Sequence, residues 1–121
     1  MAGTAVAPVA RVTPILRASD AVATGEWYAP MGFAVAQVYK PQDDWPAFVT
    51  LKSPRDDWLF VSEHTGDARP DTLIYFHVED RAAVDAVARA YGVEACAWEW
   101  GMYEAHLTDP AGNRVRVGCG A

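Results

Sequence analysis

The chain carries only two cysteines, Cys96 and Cys119, too few for a disulfide framework and without the spacing of a metal site. They read as plain thiols in a reducing cytoplasm. Lysine is equally scarce. Lys40 and Lys52 stand alone, and ten Lys and Arg face sixteen Asp and Glu, a net charge of −6. Nucleic-acid phosphates demand clustered cations, so that class of partner is excluded. No run approaches the roughly 20 apolar residues that cross a bilayer, so no membrane partner is expected. Residues 1–4 lack the basic residues and apolar run of a signal peptide. Also missing are a nucleophile elbow, a phosphate-cradling glycine loop and a Cys–His pair. The acid surplus suits ordinary solubility, or a field that draws cationic or neutral small ligands.

What the chain does have is a repeat. At 51% apolar content its 121 residues can bury a respectable core, and one domain, 1–121, is expected. Inside it one design is written twice, sixty residues apart: Ile15-Leu16-Arg17-Ala18-Ser19-Asp20 matches Tyr75-Phe76-His77-Val78-Glu79-Asp80. Each is a strand-like run ended by an Asp, and a Gly follows each Asp twelve residues on, Gly32 and Gly92. An Asp before a helix accepts orphan N–H bonds, and a Gly after it takes the left-handed closing position. Between them Trp27, Tyr28 and Met31 fall on the slots of Val87, Ala88 and Tyr91, part of an apolar stripe. Three further strand-like runs follow each helix. The chain therefore reads as two βαβββ modules, about 11–64 and 72–118, of class α+β.

The first module's strands are expected at 11–17, 33–40, 47–53 and 58–63, with a helix at 20–31. The second's are expected at 72–79, 94–99, 102–108 and 113–118, with a helix at 80–91. Residues up to about 10 form a loosely ordered lead-in, and 64–71, rich in Gly, Asp and Pro, the linker. Asp109-Pro110-Ala111-Gly112-Asn113 signals a hairpin turn. Strand alternation sorts side chains by face. Val115 and Val117 oppose Arg114 and Arg116; Tyr103, Ala105 and Leu107 oppose Met102, Glu104, His106 and Thr108. Leu59 and Val61 oppose Trp58, Phe60 and Ser62. The apolar faces must meet the helices, which leaves the mixed faces for a cavity or a partner.

Paired βαβββ modules with Asp-Pro-x-Gly-Asn before the last strand resemble the glyoxalase/bleomycin-resistance/dioxygenase superfamily, over about residues 11–118. The resemblance implies modules curled into half-barrels around a cavity, paired across a homodimer in many members. Its enzymes usually hold a divalent ion with His and Glu at four strand positions, which fall here on Thr13, Phe60, Leu73 and Arg116. None of these is a metal ligand, and a guanidinium repels one. No metal and no cofactor are therefore expected, nor a metal-dependent glyoxalase or extradiol dioxygenase. Metal-free members include the bleomycin-resistance proteins, small acidic dimers that sequester a large cationic glycopeptide antibiotic in clefts at the dimer interface. Glu99-Trp100-Gly101 followed by Asp109-Pro110-Ala111-Gly112 is similar to their pattern, as are Arg116 in a former metal position and Trp45 before the third strand.

On that footing the expected ligand-binding residues are Trp45, Phe60, Trp100, Met102, Glu104, His106 and Arg116. Five tryptophans is a high count, and flat rings suit planar ligands. Trp27 belongs to the core stripe, whereas Trp58, Trp98 and Trp100 lie on the non-core side. Trp45, Phe60 and Trp100 would stack on the ligand. Glu104 would meet its positive charge, or else pair with Arg114 or Arg116 on the adjacent strand. His77, Glu104 and His106 share the non-core side and could be drawn as a metal trio. They miss the superfamily's ligand positions, and polar lining of a cleft is the plainer reading. His64 reads as a solvated loop residue. Three functions stay open: sequestration by a cytoplasmic homodimer; a metal-free isomerase, cyclase or lyase using Glu104 or His106 as acid or base; and a module whose cleft serves protein partners. The fold alone does not choose among them.

Overall fold

The computed structural model describes residues 3–4 and 6–121. The signal-peptide and lead-in readings fall, at Met1, Ala2 and Ala5, outside the described residues. The first module runs β1 (Ile15–Arg17), α1 (Ala21–Glu26), a 3₁₀ turn (Ala29–Met31), β2 (Ala34–Tyr39), β3 (Phe48–Lys52) and β4 (Trp58–Ser62). The second runs β5 (Leu73–His77), α2 (Arg81–Ala90), β6 (Cys96–Ala97), β7 (Met102–Thr108) and β8 (Arg114–Gly120).

The caps work as the sequence implies. Asp20 Oδ1 accepts from the Ala23 N–H at 3.1 Å, and Asp80 Oδ1 from the Ala83 N–H at 2.9 Å. Gly32 and Gly92 close the two stretches at φ +96° and +67°, a left-handed backbone that a Cβ would strain. The helix expected over 20–31 is in fact two pieces. Pro30 has no N–H to donate to the Glu26 carbonyl, so the α pattern stops after six residues and the chain tightens into the 3₁₀ turn. The first strand is shorter than 11–17 because Pro14 has no N–H for the ladder, though its carbonyl accepts from the Phe60 N–H at 3.0 Å. The run 94–99 shrinks to Cys96–Ala97, since Gly101, at φ +88°, turns back to donate to the Trp98 carbonyl at 3.1 Å.

Two open four-stranded sheets result, in the orders β1-β4-β3-β2 and β5-β8-β7-β6. β1–β4 and β5–β8 are parallel and the other pairings antiparallel. No ladder joins the sheets among the described residues, so the fold is a pair of open βαβββ modules of class α+β rather than a closed barrel. Their helix-facing sides share one core. Leu16, Val49, Leu51, Leu59 and Val61 from the first sheet cluster with Leu107, Val115 and Val117 from the second, around Tyr28 and Phe33. Each such side chain, fully buried, stabilises the fold by about 1.5–3 kcal/mol. The repeat's matched positions touch here. The Trp27 ring lies 4.4 Å from that of Tyr91, whose hydroxyl donates to the Trp27 carbonyl at 2.5 Å.

The Asp109 turn ties the modules together. Asp109 Oδ1 accepts from the N–H groups of Ala111 and Asn113, both at 2.9 Å, and Oδ2 from the Tyr28 hydroxyl at 2.7 Å. Asn113, fully buried, donates from Nδ2 to the Arg17 carbonyl at 3.0 Å and accepts at Oδ1 from the Thr72 N–H at 3.3 Å. Burial, and then Asp109, push the Tyr28 hydroxyl above the usual phenol range. The helices cover one side of each sheet and leave the other open. All six residues of β2 are exposed.

Candidate functional site

Register decides what the open face of the second sheet presents. Tyr75 on β5, Arg116 on β8 and His106 on β7 form one row. His77, Gly118, Glu104 and Cys96 form the next. At the centre Glu104 is 1% exposed. His106 Nε2 lies 2.9 Å from its Oε1, and Trp100 Nε1 donates to its Oε2 at 3.3 Å. The Tyr75 hydroxyl adjoins the carboxylate over Gly118 without forming a well-aligned hydrogen bond. A Cβ at Gly118 would stand 2.2 Å from Tyr75 Oη and 2.8 Å from Glu104 Cγ, so both side chains depend on a bare backbone there.

Burial alone would raise the pKa of Glu104, but the donors His106, Tyr75 and Trp100 outweigh it and hold the carboxyl below its ordinary value. Burial, and then Glu104, push the Tyr75 hydroxyl up to about 12. An ionised carboxylate calls for the proton on His106 Nε2, an assignment made from the hydrogen bond, and leaves Nδ1 an acceptor.

The rings are ordered around this core. Trp98 stacks on Trp100 with centroids 4.8 Å apart, and on His106 at 4.7 Å with an interplanar angle of 1°. The guanidinium of Arg116 lies 5.7 Å from the Trp100 ring centre. Arg114 is engaged by Asp71 at 3.1 Å, whereas Arg116 makes no hydrogen bond or ion pair among the described residues. Trp98 Nε1 is buried without a hydrogen-bond partner among the described residues.

On the first sheet's open face Phe60 sits between Ile15 and Thr50, edge-on to Phe48 at 5.4 Å and to Trp58 at 6.4 Å. A cleft of about 640 Å³ separates the modules, lined by Met31, Phe33, Trp58, Ile74 and Phe76, with Tyr75 and His77 at the edge towards the open face. The Arg55–Glu79 ion pair, at 2.7 Å, joins residues of its two walls.

The structure brings Trp100, Met102, Glu104, His106 and Arg116 to one face. Trp45, 45% exposed in the loop before β3, and Phe60 belong to the first module. None of the seven lines the cleft between the modules. Glu104 needs correcting as an acidic anchor. Its oxygens already serve His106 and Trp100, so it positions those rings, and it pairs with neither Arg114 nor Arg116. Tyr75, Trp98 and Gly118 were missing from the expected site. Alternation from His77 and Trp100 carried the signal for the first two. Gly118 had none, because its role appears only when β8 is set between β5 and β7.

The four positions at which the superfamily holds metal offer a hydroxyl, two apolar side chains and a guanidinium, a set that does not fit a divalent ion. No group of three His, Cys, Asp or Glu side chains converges on a metal-sized site among the described residues, so His77, Glu104 and His106 do not form one.

Residues 4–119 match the profile of a family described as glyoxalase superfamily protein, and the chain belongs to that superfamily. Similar solved structures include lactoylglutathione lyase from Agrobacterium tumefaciens, with TM-score 0.67, 22% identity, and 93% of this chain and 95% of that one covered. The bleomycin resistance determinant encoded on the transposon Tn5 has TM-score 0.66 and 20% identity, with 93% and 98% covered. A bleomycin-binding protein complexed with bleomycin has TM-score 0.65 and 20% identity, with 93% and 100% covered. At these identities the likeness is one of fold. Among curated proteins none matches the chain. Among the described residues no helix is long and apolar enough to cross a membrane.

Proposed function

We propose that the chain is a metal-independent small-molecule-binding protein of the cytoplasm that sequesters a flat ligand on the open face of its second module. The supporting observation is the Trp98 stack with Trp100 and His106, pinned from below by a buried carboxylate. Rings held this way meet a planar ligand without first losing side-chain freedom. A second copy would complete the site as a homodimer, its first-module face laid over this one. The apolar surface left open supports that pairing: Tyr39 is 56% exposed, Leu73 46% and Trp100 48%.

Bleomycin-like antibiotics are the first ligands to try, because two of the similar structures are bleomycin-resistance or bleomycin-binding proteins. The positive charge of such a ligand would meet the net charge of −6 rather than Glu104. Metal-analysed protein should be titrated with copper-loaded and metal-free bleomycin, following tryptophan fluorescence and heat. Saturable binding at one or two ligands per dimer, with the antibiotic unchanged, would support sequestration. No binding would remove bleomycin as the ligand. Stoichiometric Zn, Ni, Mn or Fe in the purified protein would end the metal-independent reading.

One observation favours a second reading. Glu104 holds His106 by Nε2 at 2.9 Å and leaves Nδ1 without a partner among the described residues, the arrangement of a carboxylate-oriented general base. A metal-free isomerase, cyclase or lyase would use it. Turnover of a defined substrate that disappears in Glu104→Gln and His106→Gln, with the fold intact, would favour the enzyme.

A further inference from the structure

Charge on the open face of the second module is distributed unlike charge on the molecule. The chain as a whole is acidic, at −6. Yet the carboxylate at the centre of this face is 1% exposed and both its oxygens are taken. What the face offers outward is the opposite. Arg116 stands in the same row as Tyr75 and His106, 5.7 Å over the ring of Trp100, and no described residue neutralises it. Beside the same face Trp98 Nε1 is buried with no acceptor among the described residues. A half-buried guanidinium with unused N–H groups, set against an indole, is the arrangement that receives a planar anion in a forked pair of hydrogen bonds. Long-range repulsion from the acidic surface fades within about 10 Å at ordinary ionic strength, so the local cation governs contact.

We infer that Arg116 is an anion subsite, and that the ligand held here is a flat aromatic carrying a carboxylate or a group of similar shape. The acid pairs with the Arg116 guanidinium and the ring lies against Trp100, which is 48% exposed. The inference rests on the flat-ligand binding reading above but replaces its first trial ligand, a cationic antibiotic, with an anionic aromatic.

The test uses three probes of one shape and different charge: naphthoate, naphthamide and naphthylmethylammonium. Binding to the full chain is read by calorimetry and ligand-observed NMR. Naphthoate should bind roughly tenfold or more tighter than the amide, and the ammonium most weakly. In Arg116→Gln the preference should fall to within about twofold while amide binding persists. Trp100→Ala should weaken naphthoate and naphthamide alike. Arg116→Lys, which keeps the charge but loses the fork, should retain part of the preference and guards against a folding artefact, with circular dichroism checked for all variants. Equal binding of the three probes, or a preference unchanged in Arg116→Gln, would overturn the anion subsite and leave the flat-ligand reading standing. Saturable binding by none of them would overturn both.

Discussion

Asn113 shows how much one small amide can carry when nothing else is near enough to replace it. Removing its side chain strands the Arg17 carbonyl and the Thr72 N–H in a buried place. Asn113→Ala should therefore cost on the order of 3 kcal/mol, read as a lower urea midpoint at unchanged slope. Tyr28→Phe takes one bond from Asp109 and should cost about 1–2 kcal/mol. Gly118→Ala should destabilise by roughly 1–3 kcal/mol and also shift tryptophan emission, because Tyr75 or Glu104 must move and Glu104 holds Trp100. The hairpin at Asp109 was legible in the sequence from its turn residues. Its bond to Tyr28, 81 positions away, was not, since local chemistry names a turn without naming what the turn touches.

At the level of the element, the repeat carried most of the information. Each Asp cap and each closing Gly is where the pattern places it. Asp20→Ala and Asp80→Ala should each cost about 1 kcal/mol, and thermal melts of the single and double variants would show whether the two halves respond independently. Boundaries were less legible where proline interrupts an apolar pattern, as at Pro14 and Pro30, because periodicity reports a face and not the backbone donors available to build it. Alternation correctly grouped Glu104, His106 and Met102 on one side of β7. Whether Glu104 was an open carboxylate or a buried one depended on which strands flank β7 and on the indole of Trp100. Neither has a local signature.

The molecule as a whole should be most stable in a window bounded by Glu104 on the acid side and by Tyr75 and Tyr91 on the alkaline side. Glu104 titrates below its ordinary value in the fold, so its contribution is present above the usual carboxylate range and fades as pH falls through it. Tyr75 and Tyr91 are pushed from 10 up to about 12, so their contribution is lost as pH rises between those values. Urea midpoints against pH should trace both limbs, and Glu104→Gln should flatten the acid one. Absorbance at 295 nm should show Tyr75 and Tyr91 still largely protonated near pH 11. Sedimentation should find a dimer that Tyr39→Glu loosens. The way the modules grip each other has a further consequence. Trp27 rests on Tyr91, Tyr28 on Asp109, and Asn113 on Arg17, so each half supplies the other's missing wall. Fragments cut within residues 64–71 should each stay unstructured alone and regain far-UV dichroism when mixed. The protein would then be assembled from two pieces that must find each other before either acquires a shape.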